Sequence, residues 1–97
     1  MKKNELEFEM DDILTFLSIE NSKERILDFL MDSMSEKELL KMALKFQVAK
    51  MLEQGISYER IEKKTQMSSA TIAKISKSLN WNNLWYKNAI NILSGNF

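Results

Sequence analysis

No cysteine, no histidine and no proline occur in this chain of 97 residues, and there are only two glycines. Each absence removes a class of structure or chemistry. Without cysteine there is no disulfide and no thiolate, and without histidine no imidazole, so the common metal-ligand sets are missing and no metal site is expected. Catalysis is narrowed in the same way. The bases and nucleophiles that remain are carboxylates, lysines and tyrosine, no pair of them stands out by spacing, and the chain is expected not to be an enzyme. With no proline, with Gly55 and Gly95 as the two glycines and with few β-branched runs, almost nothing interrupts a helix, which makes the expected fold class all-α. Long apolar runs are also lacking. No stretch approaches the roughly 20 apolar residues of a membrane span, and residues 1–7 are charged where a signal peptide would be apolar, so the expectation is a cytoplasmic protein without membrane contact.

What is present bounds the architecture. A chain of 97 residues has room for a single domain. A domain this small buries only about 60% of the surface its unfolded form exposes, and with no disulfide or metal to add stability, oligomerisation is the available remedy. Fourteen basic and fourteen acidic residues cancel overall, but not locally. All fourteen acids lie in residues 1–62 beside nine bases, and after Glu62 come Lys63, Lys64, Lys74, Lys77 and Lys87 with no acid, a local +5 able to meet phosphates.

Periodicity divides the chain. Leu6, Met10, Ile13, Leu14 and Leu17 recur at helical spacing, with Phe16 and Ile19 widening the stripe, and predict a first helix. Asn21 and Ser22 supply a stop and a new N-cap, followed by Ile26, Leu27, Leu30 and Met34 on the inner face of a second helix whose outer row, Glu24, Asp28 and Asp32, reads as solvated. Ser35 with Glu38 has the spacing of a capping box and opens a third helix. Ten of the fourteen residues 39–52 are apolar and Lys41, Lys45, Gln47 and Lys50 do not share one face, so this helix is expected to be central and contacted from several sides, until Gly55 closes it. At the far end Leu84, Trp85, Ala89, Ile90, Ile92 and Leu93, with Asn82 or Asn83 as cap, predict a last helix; Trp81, Trp85 and Tyr86 beside that stripe read as packing residues.

Between Gly55 and Leu79 the pattern becomes two short helices with a tight join. Ser57 caps the first and Ile61 anchors it; Met67 sits in the join, Ser68 or Ser69 caps the second, and Ile72, Ile75 and Leu79 form its buried face. This is helix-turn-helix spacing, in which the anchors hold the second helix so that its start projects into a major groove. The outward face is then Ser69, Ala70, Ala73, Lys74 and Lys77. Small side chains permit close approach to bases and thymine methyls, while lysines and the helix start hold phosphates, and Lys63 and Lys64 on the preceding helix are further phosphate candidates. Gln66 stands where many such motifs place glycine, and predicts either a strained left-handed residue or a different turn.

The run 46–52, then Gly55, Ser57, Tyr58, Ile61 and Glu62, then Ser68 to Ile72, and finally Ser76, Ser78, Leu79 and Asn80 resemble the Trp-repressor-like YerC/YecD family over about residues 38–87, most specifically in Ala70-Thr71-Ile72 and Ser78-Leu79-Asn80-Trp81 with Tyr86. The resemblance implies a six-helix subunit with a helix-turn-helix whose N-terminal helices interlace with a second copy. Residues 1–54 would form the dimerisation helices, 55–80 the helix-turn-helix and 81–97 the C-terminal helix. It places Ser69, Ala70 and Thr71 at base-contacting positions and Lys74 where the repressor has an arginine serving ligand and phosphate. Glu59 and Glu62 occupy positions that are basic in the repressor. Leu44 stands where an arginine would grip a ligand carboxylate, and Ile75 where a glycine would lie beneath an indole ring, so tryptophan is not expected as co-repressor and no cofactor is expected.

These readings converge on a sequence-specific transcriptional regulator, a repressor that binds double-stranded DNA as an intertwined homodimer through Ser68, Ser69, Ala70, Thr71, Ala73, Lys74, Lys77 and Lys64. The alternative is a helical dimerisation or protein-interaction module that does not bind DNA, which the neutral total charge, the acidic N-terminal half, Glu59 and Glu62 favour.

Overall fold

The structure of the chain, a computed structural model, describes residues 1–80 and 85–95, with the side chains of Asn80 and Trp85 outside the description. The expected roles of Trp81, Asn82, Asn83 and Leu84 lie outside the described residues. Among the described residues there are seven helices and no strand: α1 (Lys3–Glu9), α2 (Asp11–Ile19), α3 (Lys23–Ser33), α4 (Glu36–Glu53), α5 (Tyr58–Thr65), α6 (Ser69–Asn80) and α7 (Trp85–Leu93). None is long and apolar enough to cross a membrane.

The count is seven where six were expected because the predicted first helix is two. Met10, at φ −94° and ψ 3°, leaves helical geometry between α1 and α2. The hydrogen bonds from Met10 N–H to Leu6 O (2.9 Å) and from Leu14 N–H to Met10 O (2.8 Å) continue across the joint. Glu5 with Glu9 and Glu7 with Asp11 are like charges four residues apart, which destabilises a continuous helix. The break instead puts Asp11 and Asp12 in the first turn of α2, where the helix dipole favours carboxylates.

The chain divides into two compact units, residues 1–39 and 40–97. In the first, Ser22 Oγ caps α3 by accepting from Arg25 N–H (3.3 Å), and Glu20 pairs with the Arg25 guanidinium at 2.8 Å. Hydrogen bonds from Ser22 N–H and Arg25 hold the Glu20 carboxyl below the usual carboxylate range. Phe16 and Phe29 rings meet at 5.1 Å. Yet no residue of α1, α2 or α3 is buried. Phe8 is 81% exposed and Ile19 75%, and Leu6, Leu14, Phe16, Leu27 and Met31 are exposed with them.

The start of α4 has the expected capping box. Ser35 Oγ accepts from Glu38 N–H (3.2 Å) while the Glu38 carboxylate accepts from Ser35 N–H (3.2 Å) and Ser35 O–H (2.9 Å), which lowers the Glu38 pKa. Its end has paired closing bonds, from Ile56 N–H to Met51 O and from Gly55 N–H to Leu52 O, both at 3.0 Å, with Gly55 at φ 77°. In the unit 40–97 a core forms from Val48, Ala49 and Met51 of α4, Ile61 of α5, Ile72, Ile75 and Leu79 of α6 and Tyr86 of α7. Tyr86 is a packing residue as expected: its ring lies 6.2 Å from that of Phe46, and desolvation pushes its phenol pKa up. Only the second half of α4 is packed, however. Leu40 and Met42 are exposed, so within a single chain the helix is not surrounded as its composition suggested.

Candidate functional site

The α5–turn–α6 segment is built from local hydrogen bonds over a dry anchor. Ser57 Oγ caps α5 by accepting from Arg60 N–H (3.3 Å). Ile61 on α5 and Ile72 on α6 are both fully buried, each contributing about 2 kcal/mol of apolar burial, and lock the two helices together. Thr65, also buried, ties the turn: its Oγ1 donates to Ile61 O (2.7 Å) and accepts from Met67 N–H (3.3 Å). Ser68, rather than Ser69, caps α6, its Oγ accepting from Thr71 N–H (3.2 Å) and lying 3.0 Å from Thr71 Oγ1.

Gln66 takes the left-handed conformation, φ 61° and ψ 17°, the only non-glycine residue to do so among those described. Its N–H still closes α5 on Glu62 O (2.9 Å), and its side-chain amide donates to Lys63 O (2.9 Å). A left-handed residue with a Cβ costs about 1–2 kcal/mol, only partly offset by one exposed hydrogen bond. Gln66→Gly is therefore expected to raise stability by about 1 kcal/mol, after the larger backbone entropy of glycine in the unfolded chain, without altering α5 or α6. A urea midpoint that falls would show that the amide bond matters more than the strain.

On α6 the expected inner face holds: Ile72, Ile75 and Leu79 are buried. At about 100° per residue, Ser69, Ala70, Ala73, Lys74 and Lys77 fall within about 140° of one another on the opposite side. Of these, Ser69, Ala70, Lys74 and Lys77 are exposed and Ala73 half-buried. Ser68 is exposed but engaged as the cap. Thr71 is half-buried, on a flank of the helix with Ser78, and lines a cleft with Lys41 and Lys45 of α4, Lys74, Ile75 and Tyr86. Lys64 lines another cleft, with Met51, Ile56, Arg60 and Lys63. The charges of α5 are segregated, with Glu59 and Glu62 on one flank and Arg60 and Lys64 on the other.

Several participants escaped sequence reasoning. Arg60 was hidden among the bases of the acidic part of the chain, although its spacing of three and four from Lys63 and Lys64 marks a shared surface. Lys41 and Lys45 are one helical turn apart, which signals a common face, but nothing in the sequence brings them to Lys74. Thr65 gave no signal beyond its place before the turn.

The model of the Trp repressor protein family matches residues 8–94 of the chain. The uncharacterized protein YerC of Bacillus subtilis is 30% identical over 82 residues, 84% of this chain and 79% of that protein. Among solved structures, a TrpR-like protein from Eubacterium eligens is similar with a TM-score of 0.86 at 29% identity, over 95% of this chain and 96% of that one. A candidate Trp repressor from Staphylococcus aureus is similar with a TM-score of 0.85 at 27% identity, over 97% of this chain and 95% of that one.

Proposed function

The chain belongs to the Trp repressor protein family, and on that premise we propose that it is a sequence-specific transcriptional repressor, an intertwined homodimer reading the major groove of double-stranded DNA with α5 and α6 as a helix-turn-helix. The observation that carries this reading is the outward side of α6: Ser69, Ala70 and Ala73 offer small surfaces for base edges, Lys74 and Lys77 offer charge to phosphates, and no carboxylate lies on the helix. Lys64 adds a cation on the last turn of α5. Each dimer would present two such heads to half-sites about one helical turn of DNA apart, and occupancy of the operator would block the polymerase.

Support for the dimer comes from residues 1–39, where three helices bury no residue and leave Phe8, Ile19, Met31 and other large apolar side chains exposed, and from Leu40 and Met42 on α4. A second copy is the surface of matching size and chemistry that the chain itself supplies. Fragments selected from sheared genomic DNA by the purified protein should be enriched in a two-fold-related motif; no enrichment above background would reject sequence-specific reading.

Tryptophan is not the effector in this proposal. Leu44 cannot grip a carboxylate, and Ile75, 5% exposed, puts a branched side chain where the resemblance implies a glycine beneath an indole ring. Calorimetric titration with tryptophan is expected to show no binding in the micromolar range, and micromolar binding would overturn this point.

A protein-interaction module is the second reading, favoured by exposed Glu59 and half-buried Glu62 on α5, carboxylates at positions where the resemblance to the Trp repressor implies basic residues. A module of that kind would flow through immobilised DNA or heparin at low salt.

A further inference from the structure

Among the described residues Thr65 is the one polar residue that is buried, 7% exposed at the end of α5. A hydroxyl in apolar surroundings costs free energy unless it is fully hydrogen-bonded, and an aliphatic side chain of the same shape would pack there without that cost. What the hydroxyl supplies and packing does not is direction. We propose that Thr65 is the positioning residue of the reading head: its hydroxyl fixes the course of the chain across the left-handed Gln66, and with it the direction in which α6 leaves α5 and the sequence selectivity of the head. The selectivity rests on the DNA-binding reading above; the positioning does not.

Geometry carries the assignment. The hydroxyl is used twice, Oγ1 donating to Ile61 O at 2.7 Å and accepting from Met67 N–H at 3.3 Å. The first bond ties it to the body of α5, and the second reaches past Gln66 into the connection. Among the described residues no backbone-to-backbone bond does the same: Gln66 N–H turns back to Glu62 O, and the bond from Ile72 N–H to Ser68 O already belongs to the start of α6. One hydrogen bond therefore bridges a residue at φ 61°, a conformation that a side chain with a Cβ disfavours. The buried Ile61 and Ile72 hold the two helices together, but apolar burial is non-directional, whereas a hydrogen bond weakens steeply as its angle opens. Met67, held by its N–H, is half-buried against the core, and Ser68 follows it directly and caps α6 by accepting from Thr71 N–H at 3.2 Å. The first turn of α6 thus takes its direction from Thr65. Reading base edges needs groups placed to within about 0.5 Å, while lysines on flexible stems reach phosphates from a range of positions. A small swing of α6 would remove base readout and leave the attraction of charge.

The full-length chain is compared with Thr65→Val, which keeps the shape and removes the hydroxyl, and with Thr65→Ser, which keeps the hydroxyl. Residual dipolar couplings of the α5 and α6 amides report the angle between the helices with no DNA present. Anisotropy with a duplex selected from genomic fragments and with a mixed-sequence duplex reports selectivity. In Thr65→Val the α6 couplings are expected to turn relative to those of α5, and affinity for the selected duplex to fall about tenfold, roughly the worth of one base contact, with mixed-sequence affinity and its salt slope unchanged. Thr65→Ser is expected to keep both the couplings and the selectivity of the parent chain.

Unchanged couplings in Thr65→Val would overturn the positioning. A turned α6 with full selectivity, or a loss equal for the two duplexes, would overturn the link to base readout. A parent chain that prefers no duplex would reject the DNA reading instead, and the couplings would then decide the role of Thr65 by themselves. Circular dichroism checks the fold; should Thr65→Val melt early, Thr65→Cys under reducing conditions, with a small apolar side chain and only a weak hydrogen-bonding group, carries the same comparison.

Discussion

Replacing Ile61 with alanine is expected to lower stability by about 2–5 kcal/mol, the range for truncating a well-packed aliphatic side chain. The side chain is 0% exposed and sits in the core formed by α4, α5, α6 and α7. Small domains have total stabilities of only about 5–15 kcal/mol, so a loss of this size removes a large fraction of the whole. Packing of α5 on α6 would loosen first, because Ile61 and Thr65 are the two buried residues that α5 contributes. The Thr65 hydroxyl keeps its acceptor, because that bond goes to the backbone carbonyl of residue 61, so the loss is one of packing alone. The urea midpoint measures the effect, with Ile92→Ala as the control at a position 57% exposed. A midpoint for Ile61→Ala no lower than the control's would mean that the two helices are held by something other than this anchor.

Reversing the charge of Lys74 and Lys77 together is expected to weaken duplex binding about 100-fold at low salt, to a similar degree for every sequence, and to flatten the salt slope by about 2. Both lysines are exposed on the same side of α6, so under the proposed function each reversal would turn an attraction for phosphate into a repulsion. Stability should hardly change, since exposed charges away from partners contribute within about 0.5 kcal/mol. The uniformity across sequences is the informative part. Loss confined to one sequence would place the lysines on base edges, and no loss at all would remove α6 from the interface.

Local signals in the sequence were legible wherever a backbone group needed a partner. Ser22, Ser35 with Glu38, Gly55 and Ser57 are all found in the capping roles that their spacing predicts, because a helix end leaves N–H or C=O groups unsatisfied and few residue types can answer them. The inner face of α6 was equally plain from its spacing. Balanced choices were not. The joint at Met10 depends on like charges tipping a helix that apolar periodicity would have continued, and the cap at Ser68 competes with an identical side chain at Ser69. At Gln66 the sequence alone allows either strain or another turn; the left-handed residue emerges because Thr65 and Ser68 secure the backbone on both sides of it.

What the pattern could not convey is what covers a face and what meets across the fold. The stripe in residues 1–39 reads as a buried side, yet an apolar stripe states only that burial is favourable, and within one chain it is left open. The Lys41–Lys45–Lys74 grouping is tertiary: it needs α4 and α6 to pack before thirty residues of separation become one cleft.

Binding of the unmodified chain to mixed-sequence duplex DNA, followed by anisotropy at several salt concentrations, decides whether this protein is a DNA reader. Association is expected at low salt, its logarithm falling linearly with the logarithm of salt, and the Lys74→Glu/Lys77→Glu variant weakens it about 100-fold. A chain that is folded and dimeric yet shows no duplex binding at the lowest salt would contradict it.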